Sequence, residues 1–119
     1  MRVVNRSEFM ELPIGTIFSE WEGSECIGMK VKDKTLFGYD GKAIDYIEAN
    51  IINSIENNGT ESFFEKVDLV NAGESVSLDM TSYGRNGLFD DEQKYAIYEE
   101  GDLLQMISLL KSSVTKEDS

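Results

Sequence analysis

The chain has no histidine, a single cysteine and a single proline, and it carries 11 lysines and arginines against 23 aspartates and glutamates. Without histidine there is no imidazole to act as a base near neutral pH, to activate a serine or cysteine, or to ligate a metal. The sequence therefore predicts a protein that is not an enzyme, with no catalytic residue, no cofactor and no metal. One cysteine, Cys26, cannot build an internal disulfide, so a reducing compartment is expected, with Cys26 as a small buried hydrophobe on a strand. No apolar run approaches the roughly 18 residues of a membrane span. The amino terminus turns polar at Asn5 and Arg6 too early for a secretory signal.

What is present is acid. A formal net charge of −12 on 119 residues repels nucleic acid and anionic membranes, and favours a basic protein surface as partner. The charge is uneven. Between Asp45 and Glu92 the only cations are Lys66 and Arg85. A hydrophobic content of 40% is ample for a folded domain, expected over residues 1–112 with a flexible polar tail at 113–119.

Alternation of apolar and polar residues predicts strands at Thr16–Trp21, Cys26–Leu36, Ala43–Ile52, Val76–Met80 and Lys94–Tyr98. In the second of these, Ile27, Met29 and Val31 fall on one face and Lys30, Lys32 and Lys34 on the other. Asp33 there marks a possible bend that would take Lys34 out of register. Ser7 is expected to cap a short helix ended by Pro13. Thr60 and Asp102 open two longer helices, and Leu103, Met106, Ile107 and Leu110 form the apolar stripe of the last. The fold class that follows is α+β: a twisted antiparallel sheet of about five strands, with the middle and C-terminal helices packed on one face. The uncovered face of such a sheet invites self-association, making a homo-oligomer one expectation. Trp21, Phe37, Tyr39 and Tyr95 are candidates for that surface, although core placement is the better expectation for each taken singly.

The densest segment is Leu78–Glu92, which combines Tyr83, Gly84, Arg85, Asn86 and Gly87 with the acids Asp90, Asp91 and Glu92. Asn86-Gly87 is a hairpin dipeptide. Arg85 between glycines, beside Tyr83 and with Asn86, could grip a phosphate while the ring stacks on a base, helped by Lys30 and Lys32. The alternative is an internal ion pair, with Asp79 or Asp90 as partner. The acids Asp45, Glu48, Glu56, Asp90, Asp91 and Glu92 are candidates for contact with a basic protein. Three adjacent carboxylates do not have the spacing of a calcium loop, and no metal site is expected at 90–92.

The segments Arg6-Ser7-Glu8-Phe9-Met10-Glu11-Leu12-Pro13-Ile14-Gly15-Thr16-Ile17-Phe18 and Gly84-Arg85-Asn86-Gly87-Leu88-Phe89-Asp90-Asp91-Glu92-Gln93 are the distinctive ones. On them the chain resembles small accessory proteins encoded by bacteriophages and prophages, a group without an assigned activity. The resemblance covers the two ends of the chain and implies expression in a bacterial cytoplasm, without assigning a role to any residue. Three functions stay open. One is an acidic stoichiometric inhibitor of a basic, nucleic-acid-binding host defence protein, in the manner of an anti-CRISPR. Another is a sponge that sequesters a small anionic cyclic nucleotide through the 81–92 loop. The third is a phage structural or assembly component.

Overall fold

The computed structural model describes residues 1–52, 54–80 and 82–115. Its elements in chain order are β1 (Arg2–Val4), α1 (Arg6–Met10), β2 (Ile17–Trp21), β3 (Cys26–Phe37) and β4 (Ala43–Asn50). There follow β5 (Ser54–Ile55), α2 (Thr60–Asn71), β6 (Leu78–Asp79), β7 (Tyr83–Arg85), β8 (Lys94–Ile97) and α3 (Glu100–Val114). The protein is α+β, as its alternation patterns predict. Six strands form one sheet in the order β1-β8-β2-β3-β4-β7, and β5 with β6 makes a separate ribbon. Every neighbouring pair is antiparallel.

Local chemistry starts the fold. Asn5, rather than Ser7, caps α1: its side chain accepts from the Glu8 N–H at 2.9 Å, and the Glu8 carboxylate accepts from the Asn5 N–H at 3.3 Å. This reciprocal pair satisfies two N-terminal donors of a five-residue helix that could not persist alone. Pro13 and Gly15 then turn the chain into β2, with Gly15 at φ 97°. For α2 the cap is Gly59, and no side chain completes it. Glu99 caps α3, one turn earlier than Asp102, which instead accepts from the Glu99 N–H at 2.9 Å.

Packing centres on α1. Phe9 is wholly buried and stacks on Tyr95 with ring centroids 4.0 Å apart. Its other neighbours are Phe18 and Tyr46, both edge-on, at 4.7 and 4.8 Å. Val4, Met10 and Ile97 complete this core. Tyr95 is thus interior, not an exposed sheet aromatic, while Phe37 and Tyr39 are exposed and Trp21 is half-buried. Arg6 closes the cluster from below, donating to the Tyr95 hydroxyl at 3.1 Å and the Ile44 carbonyl at 3.2 Å.

The lysine face of β3 lies on the α1 side, opposite to the solvent placement its charge suggests. Registry sets Lys30 beside Phe18 and Lys32 beside Glu48. Lys32 is 1% exposed and donates to the Leu12 carbonyl, the Asp33 carbonyl and the Thr35 hydroxyl at 3.0, 3.2 and 2.8 Å. Those three acceptors match the three donors of an ammonium group, which also sits 5.8 Å above the Phe9 ring. Burial pushes the Lys32 pKa down. The register shift between Lys32 and Thr35 is the bend expected at Asp33, and it turns Lys34 out to solvent. Cys26 is exposed, not buried, because it opens β3 at the sheet margin.

The two longer helices behave differently from α1. None of their residues is buried, although Leu103 and Met106 on α3 and Phe63 and Val67 on α2 are half-covered. The Cα radius of gyration is 17.4 Å, against roughly 13–14 Å for a compact domain of this length. The chain thus leaves apolar helical surface unspent. No helix among the described residues is long and apolar enough to cross a membrane.

Candidate functional site

The 83–92 segment is built onto the edge of the sheet. β7 pairs with β4, placing Arg85 opposite Ile47 and Tyr83 opposite Ala49. The chain then bends inward at Asn86, whose N–H donates to the Tyr46 carbonyl at 3.0 Å. Gly87 follows at φ 70°, a conformation a side chain would strain. That bend aims the Gly87 N–H at both oxygens of Asp45, at 3.1 and 3.2 Å. Arg85 Nε donates to the same carboxylate at 2.8 Å. Asp45 is fully buried while Arg85 remains 54% exposed.

Arginine 85 is therefore an internal partner, and its partner is Asp45 instead of Asp79 or Asp90. Burial pushes the Asp45 carboxyl up, but the Arg85 guanidinium and the backbone N–H groups of Tyr46 and Gly87 together bring it below the ordinary range. The outer face of the guanidinium lies 5.8 Å over the Phe89 ring. Phe89 itself is held at φ 52°, rare for a bulky residue. Asn86-Gly87 is not a hairpin turn, since residues 88–93 form no strand. They are ordered by short-range bonds, with the Asn86 side chain accepting from Leu88 N–H at 3.2 Å and Asp90 from Glu92 N–H at 3.0 Å.

The proposed anion grip does not assemble from these residues. Arg85 shares the face of Ile47, whereas Lys30 and Lys32 share the opposite face, with Asn50 and Glu48. Lys30 is already bound to Glu20 at 3.2 Å and Glu48 at 3.0 Å. Burial lowers its pKa, but the two carboxylates outweigh that and hold it raised. Tyr83 is exposed and Asn86 is half-buried. Thr81, at the start of the loop, lies outside the described residues, as does the tail segment 116–119.

The six candidate acids divide by burial. Asp45 and Glu48 face inward and cannot meet a partner: one holds Arg85, the other Lys30, with a side chain only 15% exposed. Sequence distance hides these cross-strand pairings. Glu56, Asp90, Asp91 and Glu92 are exposed. Asp91 is 4.0 Å from Arg6 Nε, too far for a hydrogen bond.

Three further exposed acids lie together on α2. Glu61, Glu65 and Asp68 are all exposed, and their spacing of four and three residues places them on one helix face. Glu56 and Glu74 flank them, both exposed. The only cation of this 54–80 segment, Lys66, donates to the Glu56 carbonyl at 2.6 Å. The i, i+4, i+7 spacing of Glu61, Glu65 and Asp68 is visible in the sequence once Thr60 is placed as the start of a helix.

Four cations, Arg6, Lys30, Lys32 and Arg85, bind interior or sheet-face acceptors, while Arg2, Lys34, Lys42, Lys94 and Lys111 are exposed. Carboxylates dominate outside. Among the described residues no group of three potential ligands could hold a metal ion. This arrangement can present a repulsive face to polyanions and an attractive one to a basic protein surface. The chain matches no protein-family model, no curated protein and no solved structure.

Proposed function

We propose that this chain is a phage-encoded anti-defence protein of the bacterial cytoplasm that binds stoichiometrically to a basic, nucleic-acid-binding host protein, in the manner of an anti-CRISPR. The observation that carries this reading is the exposed acidic face of α2, where the one nearby cation, Lys66, is bonded to the Glu56 carbonyl. Over residues 54–80 no cation other than Lys66 offsets the carboxylates, so the field is acidic where the Glu61–Glu65–Asp68 face of α2 is presented. Glu56 and the Asp90–Glu92 run extend the acidic surface. The phage origin rests on the resemblance at the two ends of the chain.

The test is competition. A purified effector nuclease is titrated with this protein in the presence of its labelled nucleic acid. Displacement is expected, weakening steeply as salt rises, because exposed charge pairs are screened over about 8 Å at physiological ionic strength. Glu61→Lys, Glu65→Lys and Asp68→Lys combined should abolish displacement with an unchanged circular dichroism spectrum. Displacement by that triple variant equal to the parent's would overturn the reading.

A further inference from the structure

Helix α3 ends the described chain with its most apolar residues facing solvent. Leu103, Ile107, Leu110 and Val114 recur at spacings of four, three and four, which aligns them along one edge of the helix. Ile107, Leu110 and Val114 are 58, 66 and 83% exposed. Met106 and the first-turn Asp102 lie on a different edge, half-covered by the body of the protein near Met1 and Tyr98. From Ile107 onward this edge is free of the contacts that anchor the helix, whereas Leu103 is half-covered, and it is the seam a second helix would fill.

Charge identifies the occupant. From Leu103 to Val114 there is no carboxylate, and Lys111 is the only charged residue, in a chain with 23 acids. A basic partner would be drawn to the acids elsewhere. Two copies of this chain, each at −12, repel one another except across such a neutral surface.

We infer that α3 is a dimerisation element, pairing antiparallel with α3 of a second copy along the Leu103–Ile107–Leu110–Val114 seam. The antiparallel sense keeps the two acidic bodies at opposite ends of the paired helices. In that register Ile107 meets Leu110 of the second copy, and Leu103 meets Val114. The contact is isologous and closes as a twofold. It is independent of any host partner and doubles the acidic surface offered to one.

Sedimentation of the full chain from 1 to 100 µM tests this. A species of twice 13.4 kDa is expected to accumulate with concentration. Ile107→Lys and Leu110→Glu, each at a solvent-facing position and so leaving the melting temperature near the parent's, should each sediment as monomers. Mixed one to one they should recover a dimer, because the introduced lysine meets the introduced glutamate only in an antiparallel pair. A parent that stays monomeric at 100 µM overturns the proposal, as does a dimer that survives both substitutions. Monomeric variants that fail to recover on mixing overturn the antiparallel arrangement.

Discussion

Asp45 lies wholly inside the protein, and the arginine that binds it at 2.8 Å, Arg85, stands half in solvent. The pair fastens the edge strand β7 and the 86–92 segment to β4, and its cost of burial falls almost entirely on the aspartate. The Gly87 N–H shares that cost, so the loop's backbone and its arginine converge on one carboxylate.

Arg85→Ala should therefore destabilise the protein instead of merely removing a ligand contact. A loss of about 1–3 kcal/mol is expected for a charge-assisted bond whose buried partner is left behind, toward the lower end because Arg85 is partly screened by water. Arg85→Lys should recover part of it, since an ammonium can reach one oxygen but lacks the planar fork. Urea unfolding of the three proteins measures both; equal midpoints would show that the pair contributes nothing.

Acid unfolding follows from the same carboxylate. The Asp45 pKa is lowered below its ordinary 3.8, so the stability it lends is fully present above 3.8 and disappears as pH falls through the lower folded value. Removing Arg85 leaves burial opposed only by the Tyr46 and Gly87 N–H groups, so the carboxyl moves upward. The acid-unfolding midpoint of Arg85→Ala should consequently move to higher pH than the parent's, monitored by tryptophan fluorescence of Trp21. A midpoint at the same or lower pH contradicts this account.

Lys32 offers a contrast. Lys32→Met keeps the length of the stem over Phe9 but leaves the Leu12 and Asp33 carbonyls without their donor. Replacing a buried charge by an apolar chain is often neutral, yet the orphaned acceptors should tip the balance to a loss of about 1–3 kcal/mol. The pH dependence separates the two contributions. Because burial lowers the Lys32 pKa from 10.5, the parent gains stability as pH rises from the lowered value to 10.5, and Lys32→Met should lack that gain. Thermal melts across pH 8 to 10.5 read both effects.

Phe9 holds the core together from a helix of only five residues. Phe9→Ala removes the ring stacked on Tyr95 and touching Phe18 and Tyr46, at an expected cost of about 3–5 kcal/mol. That is a large share of a small domain's total stability. The variant should be partly unfolded at 37 °C by circular dichroism. A melting temperature within a few degrees of the parent's would mean that another element carries the core.

Much of the fold was legible from alternation. Strands β2, β3, β4 and β8 follow their period-two patterns, the helices at 60 and 100 follow their apolar spacing, and the bend at Asp33 followed from the acid inside a strand. Where the reading stopped, the reason was the same each time: a pattern states which residues share a face, not what lies against it. The lysine face of β3 reads as solvent until α1 folds over it and supplies carbonyls at its C-terminal end. The apolar stripe of α3 reads as a core contact, but the core is already filled by Phe9, Tyr46 and Tyr95, which leaves Ile107, Leu110 and Val114 in water.

The sequence by itself determined the α+β class, the acidity, and the want of a histidine base or a disulfide framework, because these depend on composition and local periodicity. Only the tertiary structure decided which charges remain available. Asp45 and Arg85 are forty residues apart and meet only because β4 and β7 pair. Glu20, Lys30 and Glu48 come together only across three strands. Electrostatic attraction falls off with distance in space, not along the chain, so the identity of the exposed acids was fixed only when the sheet assembled.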